Sequence, residues 1–333
     1  MKKIIRIGIM LIFFIVVFVI LNMLFQPKYA TNLVEGSMIS QYYNEVKDHE
    51  VIFIGDCEVY ANFSPMVMYE TSGIKAYIRG SSQQMIWQSY IILKETLKYE
   101  IPKVVVFNVN SIRYDKESEK VSEAYNRLTI DKMKWSKEKI EIIKESMTED
   151  EGFMSYVFPI LRYHSRYNQL TNEDFEYLFK RKDNTYNGFL MNKNIKGVTN
   201  LPTEKKLASY DFSEESYHYL ELILKLCEEN NIELVLVKAP SLYPYWYEEY
   251  DKQIKDFAKE NDIDYYNLKD YANIIGIDYS KDTYDGGLHL NLTGATKLSE
   301  FFARVLSSRY DLTNYKGDPL YNAKLKIYKE KIK

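Results

Sequence analysis

A cysteine near the start of the chain and a histidine near its end have the surroundings expected of a nucleophile and its base. Cys57 directly follows the apolar run Val51-Ile-Phe-Ile-Gly-Asp56, which predicts a buried strand. His289 lies in Asp285-Gly-Gly-Leu-His289, a loop that leads into a predicted helix. A nucleophilic thiol needs a base, and the base needs a carboxylate to orient it. These residues predict acyl chemistry at Cys57, with His289 as the base and Asp285 as the orienting acid.

Small and amide residues follow the next two predicted strands, at Gly80, Asn108 and Asn110. Ligands of open α/β sheets bind at the carboxyl ends of the strands, so these residues are expected near Cys57. Gly80 would allow close approach to the backbone, and either asparagine amide would donate to an oxyanion. A strand-to-helix turn at Cys57 would direct backbone N–H groups at the thiol and lower its pKa.

Strands and helices alternate along most of the chain, which predicts an α/β fold with a doubly wound parallel sheet covered on both faces. The predicted strands are 51–55, 74–79, 103–107, 232–238 and 265–268. Helices are expected after Ser64, after Ser81 or Ser82, over 214–230, near 247–260 and near 293–308.

The alternation stops between about 115 and 210, where helices are expected over 136–147, 150–168 and 172–181. This region is too long for a passive loop and is predicted to be a helical insertion. It contains His164, which Arg162 and Arg166 flank at helical spacing. That cluster suits an anionic group, although charged helix faces are more often simply solvated.

An aromatic cluster, Tyr243-Pro-Tyr245-Trp246-Tyr247, follows the fourth predicted strand. Aromatic rings at the ligand-binding edge of a sheet would stack on sugar rings or line an acyl pocket. Tyr245 and Trp246 are therefore predicted to bind substrate. Packing of the same rings against the insertion is the alternative.

The N-terminal segment is predicted to be an uncleaved membrane anchor over residues 1–25. Ile7 to Phe25 is apolar except for Asn22, and 19 residues come close to the ~20 that a bilayer requires. Lys2, Lys3 and Arg6 precede this run, so the N-terminus is expected in the cytoplasm and the rest outside. A cleaved signal peptide is the alternative. Residues 26–50 are predicted to be a stalk, and 51–333 the folded domain.

Composition limits the remaining classes of function. A net charge of −3 argues against nucleic acid as a partner. The four histidines are scattered, and neither a Cys-x-x-Cys pair nor a phosphate-binding glycine loop occurs, so no metal or cofactor is expected. Two cysteines do not make a disulfide framework, and Cys57 and Cys227 are predicted to be free thiols.

Taken together, the blocks around the candidate site resemble those of the SGNH, or GDSL-type, hydrolase superfamily. Gly55-Asp56-Cys57 is similar to its Gly-Asp-Ser block, Gly80 to its glycine after strand two, and Asn108 or Asn110 to its asparagine after strand three. The Asp285–His289 loop is similar to its Asp-x-x-His block. The chain looks most like the membrane-anchored extracytoplasmic branch, which includes the D-alanyl transfer protein of teichoic-acid modification and partners of membrane O-acyltransferases.

The sequence departs from the family pattern in two places. Cysteine replaces the nucleophilic serine, so the intermediate would be a thioester, which suits transfer to an alcohol. Asp285 lies four residues before His289 rather than three, and Asp282 or a backbone carbonyl is the alternative orienting group.

The resemblance implies an extracytoplasmic acyltransferase or esterase that modifies a cell-envelope polymer. It also implies that an acylated carrier or a polytopic membrane O-acyltransferase is a partner. The alternative is a catalytically inactive SGNH-like module that binds envelope glycan or that acyltransferase.

Overall fold

The computed structural model describes residues 1–26, 34–118, 121–176, 178–179 and 186–333. Its centre is a parallel sheet of five strands in the order β2-β1-β3-β4-β5. The strands are β1 (Val51–Gly55), β2 (Ala76–Gly80), β3 (Val104–Asn108), β4 (Glu233–Lys238) and β5 (Asp264–Asn267). The predicted α/β class and parallel sheet are confirmed.

Hydrophobic cores cover both faces of the sheet, as the continuous apolar strands predict. Alternate strand residues such as Phe53 and Val106 face one core, and Ile54 and Phe107 face the other. Four helices contribute side chains to the first core: α3 (Cys57–Asn62), α4 (Pro65–Ser72), α14 (Leu292–Arg309) and α15 (Pro319–Ile332). The second receives α5 (Ile86–Thr96), α11 (Glu214–Glu229) and α12 (Glu248–Glu260). A short helix, α13 (Ala272–Ile275), follows β5.

The first helix, α1 (Lys2–Phe25), is long and apolar enough to cross a membrane, with a mean hydropathy of 3.2 over its most apolar stretch. The described part of the predicted stalk differs from expectation. A helix, α2 (Val34–Gln41), and a 3₁₀ turn over Tyr42–Asn44 contribute buried side chains, including Met38 and Tyr42, to the cores. The folded unit therefore includes residues before β1, because these apolar side chains gain from burial.

The predicted helical insertion contains α6 (Glu123–Ile130), α7 (Lys137–Ser146), α8 (Phe153–Val157), α9 (Ile160–Tyr163), a 3₁₀ turn over His164–Asn168 and α10 (Asn172–Glu176). A third hydrophobic core joins this region to α5 through Ile91, Ile92, Ile142 and Ile143. Residues 119–120, 177 and 180–185 of the predicted 115–210 region lie outside the described part of the chain. The insertion therefore packs against the sheet domain and shares a hydrophobic core with it.

Candidate active site

Cys57 is the first residue of α3 and directly follows the end of β1. The preceding Asp56 is the N-cap, and its Oδ1 accepts a hydrogen bond of 3.0 Å from the backbone N–H of Glu58. In this strand order the chain turns to opposite sides after β1 and β3, and ligands of such sheets bind in the crevice between those two strand ends. Cys57 therefore lies at the crevice between the ends of β1 and β3, where ligands bind in sheets of this strand order.

His289 and Asp285 form a compact pair in the loop before α14. Oδ2 of Asp285 lies 2.7 Å from Nδ1 of His289, and its Oδ1 accepts a 2.8 Å bond from the backbone N–H of the same histidine. Tyr284 stacks on the imidazole at 5.5 Å between ring centroids. The alternative orienting group, Asp282, instead pairs with Lys297 at 2.6 Å. Gly286 and Gly287, between the acid and the histidine, both have positive φ, and this backbone lets the Asp285 carboxylate reach the ring.

The remaining ring nitrogen of His289 is directed into the protein near the thiol of Cys57. Nε2 is buried and has no hydrogen bond of regular geometry, although thiol and imidazole are close enough to change each other's pKa. When the imidazole is neutral, its proton belongs on Nδ1, because Nδ1 contacts a carboxylate, and Nε2 is then an acceptor. Burial lowers the pKa of His289, but Cys57 as a thiolate and the Asp285 carboxylate outweigh it and raise that pKa well above its ordinary value.

The expectation of a depressed thiol pKa is wrong. Burial raises the pKa of Cys57, and Asp56 and Glu58 raise it further, while His289 opposes them. The helix N-terminus cannot compensate, because the acid at the N-cap and the acid at the second helical position place negative charge beside the sulfur. The resting thiol is therefore neutral, and a base must remove its proton during reaction.

Asn108 does not provide an oxyanion donor. Its Nδ2 donates to Asp56 Oδ1 at 3.1 Å and to Glu58 Oε2 at 3.0 Å, which occupies both N–H bonds. Asn110 donates to Asp56 Oδ2 at 2.6 Å and retains a second N–H, and its Oδ1 is buried without a partner. Only Asn110 lines the cavity beside Cys57, so it is the one of the two that could face an oxyanion.

Gly80 is required for packing rather than for contact with a ligand. A Cβ at this position would lie 2.5 Å from Cγ2 of Val59 and 3.0 Å from the carbonyl oxygen of Gly55. These contacts are shorter than van der Waals distance, so any side chain would push α3 away from the sheet. The residues that line the cavity beyond β2 are instead Gln83, Gln84 and Met85.

A buried ion pair beneath the nucleophile was not predicted. Nζ of Lys238, at the end of β4, lies 2.7 Å from Oε1 of Glu58, and both side chains are 1% exposed. The only sequence signal is a lysine that ends an otherwise apolar strand. The pair holds the start of α3 to β4, because either charge alone would be costly inside the protein.

The cavity beside Cys57 has a volume of about 210 Å³. It is lined by Asp56, Cys57, Gln83, Gln84, Met85, Asn110, Ser111, Arg113, Tyr114, Pro244 and Leu288. Arg113, Tyr114 and Pro244 also line an adjoining groove of about 590 Å³, which Tyr243, Tyr245, Tyr247 and Tyr250 extend. The site is therefore a small cavity with a mainly apolar lining and a few polar groups, and it adjoins a larger aromatic groove.

The two predicted aromatic binding residues have different environments. Tyr245 lines the groove, and its hydroxyl donates to the carbonyl oxygen of Pro202. Trp246 is 8% exposed and packs with Phe212 and Tyr250 in the core, while its Nε1 donates to Asp251. Trp246 lines neither the Cys57 cavity nor the adjoining groove, so the prediction that it binds substrate has no support at this site.

The other candidate residues have structural partners. Arg162 pairs with Glu123 at 2.8 Å, and Arg166 donates to the carbonyl oxygen of Phe25 at 2.7 Å, so the arginines beside the exposed His164 already have acceptors. Both cysteines are free thiols, and burial raises the pKa of Cys227 to about 12. Among the described residues, no group of three His, Cys, Asp or Glu side chains is arranged to hold a metal ion.

No model of a protein family matches the sequence, and no curated protein is similar enough to indicate a relationship.

Proposed function

We propose that the protein is an extracytoplasmic acyl-handling enzyme, a transferase or esterase that modifies a cell-envelope polymer through an acyl thioester on Cys57. The observation that carries the proposal is the arrangement of Cys57, His289 and Asp285 at the β1/β3 crevice. A thiol beside an imidazole whose far nitrogen is held by a carboxylate is the arrangement that nucleophilic acyl transfer requires.

The geometry supports a two-step reaction. In the first step the Cys57 sulfur attacks the acyl carbonyl, Nε2 of His289 takes the thiol proton, and that proton passes to the leaving alcohol as its bond to carbon breaks. In the second step His289 takes a proton from an acceptor hydroxyl, which attacks the thioester and releases the thiol. Asp285 stabilises the imidazolium in both steps through its 2.7 Å contact with Nδ1.

The raised pKa of Cys57 fits a nucleophile that ionises only when His289 receives its proton. Asn110, which lines the cavity and retains a second N–H, is the candidate to stabilise the oxyanion. We also propose that the fold is of the SGNH type, on the strength of the Gly55-Asp56-Cys57 and Asp285–His289 blocks.

The cellular placement is part of the same proposal. Helix α1 has the length and composition of a single membrane span, and Lys2, Lys3 and Arg6 at its start favour a cytoplasmic N-terminus. The site would then face the cell envelope, where an acylated carrier or a polytopic membrane O-acyltransferase would supply the acyl group.

The test is covalent trapping with an activated acyl ester. Incubation should leave a hydroxylamine-labile adduct on Cys57, located by mass spectrometry of peptides, and His289→Ala should slow its formation about 10²- to 10⁴-fold. Cys227→Ser is the matched control and should acylate like the unchanged protein. Absence of any adduct with several donors, while the fold is intact, would overturn the proposal.

The alternative is a catalytically inactive module that binds envelope glycan or a membrane acyltransferase. The observation in its favour is the acidic surroundings of Cys57, since Asp56 and Glu58 oppose formation of a thiolate. Such a module would bind a glycan equally well with Cys57→Ala, whereas the enzyme would lose all transfer.

A further inference from the structure

Arg113 is a cation without an acidic partner at the junction between the Cys57 cavity and the aromatic groove. It ends the 3₁₀ turn that follows β3, and its Nε donates to the carbonyl oxygen of Asn110 at 3.0 Å. Its guanidinium stacks on Tyr114 at 4.7 Å from the ring centroid. Among the described residues no carboxylate lies within ion-pair distance of it, and its remaining N–H groups are available to a ligand.

Further polar atoms at the same place also lack partners. The hydroxyl of Ser111, which is 1% exposed, and Oδ1 of Asn110, which is 4% exposed, are buried without hydrogen bonds, and both residues line the cavity with Arg113. Buried polar atoms normally have partners, so a ligand that enters the cavity would gain a hydrogen bond from the Ser111 hydroxyl and would offer a donor of its own to Oδ1 of Asn110. A guanidinium and a hydroxyl together match the oxygens of a carboxylate or phosphate group.

We propose that Arg113 binds an anionic oxygen group, a carboxylate or a phosphate, on the polymer that reacts at Cys57. The proposal rests on the proposed function for the identity of the reacting molecule. The polymer would lie along the groove, with its charge on Arg113 and a neighbouring hydroxyl near Cys57. A neutral polymer would leave Arg113 and Ser111 unpaired and would bind more weakly.

The test compares two alkylating reagents that differ in charge. Iodoacetate carries a carboxylate and iodoacetamide does not, so the ratio of their rates at Cys57 reports an anion site beside the sulfur and cancels any change in thiol pKa. Arg113→Gln should lower that ratio about fivefold to tenfold, as expected for loss of one nearby charge in a partly solvated site. Lys205→Gln, which removes a charge from the more distant groove wall, is the matched control and should leave the ratio unchanged.

Competition by small anions then distinguishes a phosphate group from a carboxylate group on the polymer. Glycerol 3-phosphate and glucuronate, at equal concentration, should each slow the reaction of iodoacetate with Cys57 in the unchanged protein but not in Arg113→Gln. Stronger competition by glycerol 3-phosphate indicates a phosphodiester polymer, and stronger competition by glucuronate indicates a uronic-acid polymer. An unchanged ratio in Arg113→Gln, or an equal fall in Lys205→Gln, would overturn the site. A lowered ratio in a protein that forms no acyl adduct would retain the anion site and reject the enzyme.

A second inference comes from contacts between α1 and the helical insertion. Asn22 Oδ1 accepts a 3.0 Å bond from the backbone N–H of Ile160, and Phe18 packs edge-to-face on Phe158 at 5.5 Å. The apolar run from Ile7 to Phe25 is ~28 Å long, close to the thickness of a hydrocarbon core. Phe18 lies ~10 Å before the end of that run, so a spanning α1 places Phe158 below the outer boundary of the core.

We infer that the described residues between 153 and 179 of the insertion lie in the outer membrane–water interface. The described side chains there include unusually exposed hydrophobic residues, and the occupant that fits their position beside α1 is the lipid bilayer. They are Met154 at 51%, Leu161 at 56%, Tyr167 at 71%, Phe175 at 50% and Phe179 at 91% exposed.

The test uses the full chain in lipid nanodiscs, with Cys57→Ser and Cys227→Ser as background. A fluorophore on Leu161→Cys or Tyr167→Cys should be quenched at least twofold by lipids that carry a quencher on the acyl chain. The same fluorophore on Ile274→Cys, an equally apolar position that is 74% exposed on α13, should be unaffected. Equal quenching at Leu161 and Ile274, or none at either of the insertion positions, would overturn the inference.

Discussion

Oδ1 of Asn62 accepts a hydrogen bond of 2.8 Å from the backbone N–H of Leu290, which joins the end of the helix that begins at Cys57 to the residue after His289. Asn62 is fully buried, and no water competes for this bond. The bond therefore fixes the distance between the segments that carry the nucleophile and the base, although 228 residues separate them in the chain.

Replacing Asn62 with leucine should lower the free energy of unfolding by about 1–3 kcal/mol, because the Leu290 N–H would remain buried without an acceptor. It should also slow acylation of Cys57 in the folded protein. Asn62→Asp retains the acceptor oxygen and is the control. Urea denaturation and acylation kinetics measure the two effects, and a loss of stability without slower acylation would show that the bond does not position the site.

The buried pair of Glu58 and Lys238 predicts a strongly non-additive mutant cycle. Lys238→Met should destabilise the protein by about 3–5 kcal/mol, because it leaves Glu58 charged and unpaired. The double variant Glu58→Gln with Lys238→Met should recover much of that loss. Equilibrium denaturation of the singles and the double measures the coupling, and additive losses would contradict the interpretation.

The raised pKa of Cys57 predicts how its reactivity depends on pH. Alkylation by iodoacetamide should continue to accelerate above about pH 9, since the thiolate fraction is still rising there. His289→Ala removes the neighbour that opposes the shift and should move the midpoint to higher pH. A midpoint below the ordinary thiol value would contradict this account.

The raised pKa of Cys57 also makes the free energy of unfolding depend on pH. Folding raises the thiol pKa, so the folded state holds the proton more tightly, and that stabilisation is complete below the unfolded pKa. It is lost as pH rises toward the folded pKa. The decrease in unfolding free energy between about pH 8 and about pH 10 should therefore be smaller in Cys57→Ser than in the unchanged protein.

Trp246 and Tyr245 should respond differently to truncation. Trp246→Ala removes a core ring and should cost about 3–5 kcal/mol of stability, with the acylation rate of the folded protein unchanged. Tyr245→Ala, in the groove wall, should leave stability within about 1 kcal/mol and weaken binding of a saccharide acceptor. Thermal melts and acceptor titrations separate the two, and equal effects would contradict the assignment.

The sequence predicted most of the sheet, because strands covered on both faces consist of continuous apolar runs. Helix signals were also reliable where a cap residue was present: Ser213 caps α11, and its Oγ accepts from the N–H of Ser216 as the capping pattern requires. A strand-to-helix turn was expected at Cys57, but the extent of α3 was not predicted, since six residues are too few to show a period. Met85, rather than Ser81 or Ser82, precedes α5, because Ser81 instead contacts Thr129 of the insertion.

Within the candidate site, contacts inside one short loop were visible in the sequence and distant contacts were not. Asp285 and His289 are four residues apart, so their pairing follows from local geometry. Glu58 and Lys238 are 180 residues apart, and nothing local indicates that they meet. Trp246 is a further example. Its position after β4 is apparent from the sequence, but the direction of its side chain depends on the packing of α12.

The Asp285 carboxylate binds both the ring and the backbone of His289, so base and orienting acid form one rigid unit within five residues. A displacement of this loop changes the distance from Nε2 to the sulfur and leaves the acid–imidazole geometry intact. In the proposed reaction, the distance between Nε2 and the sulfur therefore varies with the position of the whole loop, which the bond between Leu290 and Asn62 holds to α3.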